Sequence, residues 1–184
     1  MKNLPNLLTF FRIAILPVII GLFFIAEAWA AWTALGLYTL ACITDFLDGY
    51  LARTMKTESA LGKFLDPISD KIFIAALLLV LVDFDRLDGI WVIPAIVILI
   101  REFLVAGLRE FLGPQNVQLP VSKLAKWKTT VQMVALGFLV VGSYGDTVLP
   151  HTLVYGQWGL TIAAVLTVIT GWGYLTTGLK HIQS

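Results

Sequence analysis

The sequence predicts an all-α integral membrane protein, a six-helix transmembrane bundle with both termini on the cytoplasmic side, and three observations lead there. Of 184 residues, 58% are hydrophobic and 14% charged, with mean hydropathy +0.86. A soluble domain of this length cannot bury so much apolar surface, so lipid must be its main solvent. The apolar runs are six: Leu7 to Ile25, Ala28 to Thr44, Ile72 to Val82, Gly89 to Ile100, Val131 to Val141 and Trp158 to Leu175. Finally, threading six spans puts twelve of the thirteen Lys and Arg residues on one side and only Arg86 on the other. The basic side is then cytoplasmic.

The first run follows a basic start and is interrupted by Arg12 and Pro17. Without a small-residue cleavage site it reads as a retained first helix rather than a signal peptide. Several of the other runs fall short of the roughly 20 residues that cross a bilayer, so their helices must continue into charged flanks. The third helix is expected to start near Phe64 and to carry Asp66, Asp70 and Lys71, with Pro67 shaping its first turn. Two basic loops, Arg53 to Lys63 and Gly113 to Lys126, fall on the cytoplasmic side. Trp29, Trp32, Trp91 and Trp158 lie near outer helix ends, and Trp127 and Trp172 near inner ones, as interfacial anchors do. With no repeat or linker, residues 1–184 read as a single domain.

Several function classes are excluded or unsupported. The 13 basic and 12 acidic residues nearly cancel, and no basic stripe with interleaved aromatics points to nucleic acid. Cys42 is alone, so no disulfide framework exists within the chain, and its apolar surroundings suggest packing. His151 and His181 fall on opposite sides, which leaves no histidine metal site or triad.

Four aspartates within 26 residues, Asp45, Asp48, Asp66 and Asp70, are the anomaly. An ionisable group in a transmembrane helix costs about 3 kcal/mol on insertion scales and is rarely kept without a partner or a function. Asp45 and Asp48 stand three apart at the end of the second helix, and Asp66 and Asp70 four apart at the start of the third. Each pair therefore shares a helix face. The short connection between them makes the helices antiparallel neighbours and the pairs a four-carboxylate pocket. Carboxylates without His or Cys suit hard cations, and two divalent ions would relieve the repulsion among four acids. Pairing with Arg53, Lys56, Lys63 and Lys71 is the structural alternative.

Read together, Asp45-x-x-Asp48-Gly49-x-x-Ala52-Arg53, eight residues, then Gly62-x-x-x-Asp66-x-x-x-Asp70 resembles the signature of the CDP-alcohol phosphotransferase family, and all eight positions match. The resemblance implies six transmembrane helices, a cytoplasmic active site, a homodimer, and transfer of a phosphoalcohol from a CDP-linked donor to an alcohol with release of CMP. It implies that Asp45, Asp48, Asp66 and Asp70 hold two Mg²⁺ or Mn²⁺ ions, with Asp70 also the base on the acceptor hydroxyl. Gly49, Ala52 and Gly62 would admit the cytidine nucleotide, and Arg53 would contact its phosphates.

Three further segments resemble the phosphatidylglycerophosphate synthase branch: Asn3 to Thr9 with Arg12, Arg101-Glu102-Phe103 through Gly107 to Phe111, and Ser122 to Thr130 with Gln132. That branch joins CDP-diacylglycerol to glycerol 3-phosphate. Arg101, Arg109, Lys126 and Lys128 would then grip the acceptor phosphate, while Asn6, Thr9 and Arg12 would shape the donor side. The expected location is a bacterial-type inner membrane. Two alternatives stand beside this reading: a family member taking phosphatidylglycerol, inositol phosphate or serine, and a metal- or proton-coupled transporter.

Overall fold

The computed structural model describes the backbone of residues 4–55, 60–113 and 123–182, and the side chains of residues 10–45, 68–113 and 124–173. These residues form six α-helices: α1 (Leu4–Phe23), α2 (Ala28–Met55), α3 (Ala60–Asp83), α4 (Val92–Leu112), α5 (Lys123–Val141) and α6 (Thr152–Ile182). A 3-10 turn, Gly89–Trp91, leads into α4, and another, Gly142–Thr147, follows α5.

Among the described residues, Gly89–Leu112, Leu124–Thr147 and Thr152–Gly173 are each long and apolar enough to cross a membrane. The apolar part of α1 that is described, Phe10–Phe23, is shorter. The charged flanks are helical, as the short apolar runs required: α2 continues past Thr44 to Met55, and α3 starts at Ala60, before the expected Phe64. The first turn of α3 therefore precedes Pro67. Lys123, Lys126 and Lys128, expected at or just beyond the end of a loop, all lie on α5. Hydropathy underestimates such boundaries because helix continues wherever backbone hydrogen bonds can, whatever the side chain's polarity.

Contacts group the chain into two units, Met1–Arg86 with Gly137–Leu153, and Leu87–Leu136 with Val154–Ser184. In the first, α1 packs on both α2 and α3. Each helix contributes one buried stripe at three- and four-residue spacing. On α1 it is Arg12, Leu16 and Ile19; on α2, Ala30, Ala34, Tyr38 and Ala41; on α3, Phe73, Leu77 and Leu81. The alanines let helices approach closely where no hydrophobic drive acts between them. Tyr38 and Phe73 stack with centroids 6.2 Å apart, and Phe84 closes the far end against Phe23 and Phe24 at 5.5 and 5.0 Å. Tyr38 donates a hydrogen bond to Cys42, one turn further along α2.

Arg86, the single cation expected outside, belongs to this unit. Its Nη1 donates to the Val141 carbonyl at the end of α5, 3.3 Å away, and its guanidinium lies 5.9 Å from the Tyr144 ring centroid. Gly142 permits this, since its φ of +57° is left-handed and a Cβ there would fall 0.9 Å from Arg86 Nη1.

The second unit repeats the pattern on α4 (Ile98, Val105), α5 (Lys128, Gln132, Ala135) and α6 (Leu160, Ala163, Thr167, Thr170). Trp91 and Trp158 meet edge to face at 5.3 Å. Outward positions such as Ile93, Ile96, Ile100, Phe103, Val165, Val168 and Ile169 are exposed apolar side chains, suited to lipid.

Candidate functional site

The buried stripes of the first unit lead to its charges. Counting on from Ala34, Tyr38 and Ala41, the next step of three or four on α2 is Asp45. Counting back from Leu77 and Phe73, the next on α3 is Asp70. On α1, Arg12 sits on the stripe itself. Interior periodicity thus brings one cation and two carboxylates together.

Arg12 is 3% exposed and joins both acids. Its Nη2 lies 2.5 Å from Asp45 Oδ1, and its Nη1 donates to Asp70 Oδ1. The planar fork of the guanidinium suits this bridge, because its two terminal nitrogens can face two carboxylates at once. The carboxylates are more open, at 32% and 47% exposure, so they remain accessible while the cation behind them is not. Arg12 Nε and Nη2 are both buried without a hydrogen-bond partner, so the contact to Asp45 is an ion pair without hydrogen-bond geometry.

The other expected members of this site are Asn6 and Thr9 on α1, Asp48, Gly49, Ala52 and Arg53 on α2, and Gly62 and Asp66 on α3. Their side chains lie outside the described residues. Among the described residues no group of three or more His, Cys, Asp or Glu gathers, and the four-carboxylate pocket is represented by Asp45 and Asp70 alone. These two, from different helices, converge on a single positive charge. An oxygen donor set that already holds a cation fits a hard divalent cation by charge and by ligand type.

The second unit holds a separate polar cluster. Glu102 Oε1 accepts from Arg101 Nη1 at 3.1 Å and from Lys128 Nζ. Arg101 Nη2 also lies 3.4 Å from Thr170 Oγ1, which donates back to the Leu166 carbonyl at 2.8 Å. The backbone of α6 passes so close here that a Cβ on Gly171 would meet Arg101 Cγ at 3.0 Å. Lys128 is 4% exposed. Below it, one turn along α5, Gln132 Oε1 is buried without a partner, as is Thr167 Oγ1 on α6.

Of the four expected phosphate-binding residues, Arg101 and Lys128 are thus brought together through Glu102. Arg109 is exposed in the last turn of α4, where a cation also complements the helix dipole. Lys126 is exposed as well, because two residues turn a helix through about 200° and place it opposite the buried Lys128.

Sequence reasoning gave Glu102 no role and assigned Arg12 only to the donor side. One signal could have found both: a charge where the interior stripe of a helix must fall. Ile98, Glu102 and Val105 follow that period on α4, as Arg12, Leu16 and Ile19 do on α1.

A family model, CDP-alcohol phosphatidyltransferase, matches residues 2–169 of this chain. The chain is similar to a CDP-diacylglycerol–glycerol-3-phosphate 3-phosphatidyltransferase of Rickettsia typhi, 48% identical over 174 residues that cover 95% of this chain and 96% of that one. A protein of the same name from Cereibacter sphaeroides is 38% identical over 215 residues, covering 98% and 97%. A cardiolipin synthase (CMP-forming) of Oryza sativa is 40% identical over 149 residues, 75% of this chain but 45% of that protein. The aspartate signature, the membrane-length helices and this near end-to-end similarity agree: the chain belongs to the CDP-alcohol phosphatidyltransferase family.

Proposed function

We propose that this membrane protein transfers the phosphatidyl group of CDP-diacylglycerol to glycerol 3-phosphate, giving phosphatidylglycerol phosphate and CMP in phospholipid synthesis. The observation that carries the reading is the convergence of Asp45 and Asp70, two signature aspartates from different helices, on one buried cation. The names of relatives aligned over nearly their whole length supply the substrates.

Asp45 and Asp70, with Asp48 and Asp66, would hold two divalent ions, Mg²⁺ or Mn²⁺, which when bound neutralise charge on the donor diphosphate and on the departing CMP. The chain's own residues do the rest. Asp70 accepts the proton of the acceptor hydroxyl as its oxygen bonds to the phosphorus bearing diacylglycerol and the bond from that phosphorus to CMP breaks. Gly49, Ala52 and Gly62 leave room for the nucleotide, Arg53 binds its phosphates, and Asn6 and Thr9 shape the donor side. Arg101 and Lys128 bind the acceptor phosphate, with Arg109 and Lys126 adding positive charge around it. The protein acts as a homodimer of six-span subunits in a bacterial-type inner membrane, with its termini and active site facing the cytoplasm.

The test is an acceptor screen with purified protein, CDP-diacylglycerol and Mg²⁺ or Mn²⁺, following CMP release. Glycerol 3-phosphate should be the preferred acceptor, and chelation of divalent ions should abolish turnover. Preference for phosphatidylglycerol, which the similarity to the rice protein makes the first rival to include, would reassign the acceptor, as would inositol phosphate or serine. Ion uptake into vesicles without CMP formation would replace the enzyme reading with a transporter.

A further inference from the structure

We propose that Arg12 is a built-in counter-ion for the aspartate site, occupying the position between Asp45 and Asp70 until a divalent cation displaces it. The inference rests on the reading of these aspartates as metal ligands and adds a competitor to it. Three observations carry it. Arg12 comes from α1, outside the signature on α2 and α3, yet it is the cation on which the two described signature aspartates converge. It is buried on the interior stripe of its helix, so it cannot swing away into water as Lys at a surface would. Its Nε–H is buried without an acceptor, so the guanidinium is not fully satisfied where it lies.

Physical chemistry gives the arrangement its use. Two carboxylates facing each other at the edge of a bilayer repel strongly, and leaving one uncompensated on removal of its partner is costly. A protein whose ligands depend wholly on metal would be unstable before metal arrives. Arg12 removes that dependence. A divalent cation brings twice the charge to the same two oxygens and can displace a monovalent guanidinium. The price is apparent affinity, because a ligand that must first break an internal pair binds more weakly by the stability of that pair. Once displaced, the guanidinium remains a buried donor beside the place where the anionic donor diphosphate is proposed to bind.

The experiment uses the full-length protein in detergent, with Mn²⁺ binding read by electron paramagnetic resonance and thermal midpoints measured with and without saturating Mn²⁺. Arg12→Gln should tighten Mn²⁺ about 10-fold, a coupling of ordinary size for two cations competing for one site. It should lower the metal-free midpoint by about 5 °C, and saturating Mn²⁺ should restore most of that loss. Arg12→Lys, whose ammonium cannot fork to both carboxylates, should fall between wild type and Arg12→Gln on both measures. It also decides the question if Arg12→Gln does not fold. Weaker Mn²⁺ binding in either variant would overturn the proposal, because Arg12 would then assist the metal. An equal midpoint loss with and without Mn²⁺ would also overturn it, reducing the bridge to an ordinary structural pair. Absence of Mn²⁺ binding by the wild type would instead overturn the metal reading of the aspartates, and this inference with it.

Discussion

At the scale of single residues, the candidate chemistry depends on where a charge falls relative to the interior stripe of its helix. Asp70 is on the stripe and Lys128 is too, whereas Lys126 is not, although two residues apart the lysines look interchangeable in sequence. Asp70→Asn keeps the shape of the side chain but removes charge and basicity, and turnover should fall at least about 100-fold, as when a metal ligand or general base is lost. Retained turnover would remove Asp70 from the reaction. Lys128→Ala should act differently, raising the KM for glycerol 3-phosphate with a much smaller change in kcat, because it weakens binding of a phosphate that does not react. A fall in kcat alone would argue that Lys128 serves the reaction rather than the acceptor. The aspartates were legible in the sequence because the signature spacing is local to two helices. The Arg12 bridge and the shared acceptor Glu102 were not, because each depends on which helices become neighbours, and a single chain's spacing does not specify that.

Between elements, two close approaches decide whether the helices hold their charges in place. Gly171 lies against the stem of Arg101, and a larger residue there would push a flexible side chain rather than a backbone. Gly171→Val should therefore leave the fold in place while moving the guanidinium away from Glu102 and Thr170. The expected result is a raised KM for the acceptor with a thermal midpoint within a few degrees of wild type, measured in the same detergent. Gly142 is less forgiving. Its left-handed φ disfavours any side chain, and a Cβ would overlap Arg86 Nη1, which caps the Val141 carbonyl at the end of α5. Gly142→Ala should destabilise the protein by about 1–3 kcal/mol, read as a lowered thermal midpoint, and an unchanged midpoint would refute the capping role. Sequence periodicity anticipated the helices themselves well but placed their ends poorly. The segment from Thr44 to Met55 lies beyond the apolar run, yet it continues α2, and Asp45 on it has an ion-pair partner inside the protein.

At the scale of the whole molecule, orientation is an electrostatic question. Twelve of thirteen cations fall on one side only if the six helices alternate across the bilayer, and the positive side then faces the cytoplasm. The span from Gly89 to Leu112 offers a clean test because the residues that flank it, Asp88 and Gly113, are both exposed. The 21 residues of α4 within it rise about 31 Å, enough to cross the roughly 30 Å of hydrocarbon. Asp88, just before it, has extended backbone, and Gly113, just after it, has open space where a side chain would go. In a background with Cys42 replaced by Ser, Asp88→Cys should react with a membrane-impermeant thiol reagent added to intact cells from which any outer membrane has been removed. Gly113→Cys should react only after the membrane is permeabilised. The opposite pattern would reverse the orientation and put the basic cluster outside, away from a cytoplasmic phosphorylated acceptor. Labelling of both sites before permeabilisation would mean that this helix does not span, and the six-span count would fall with it.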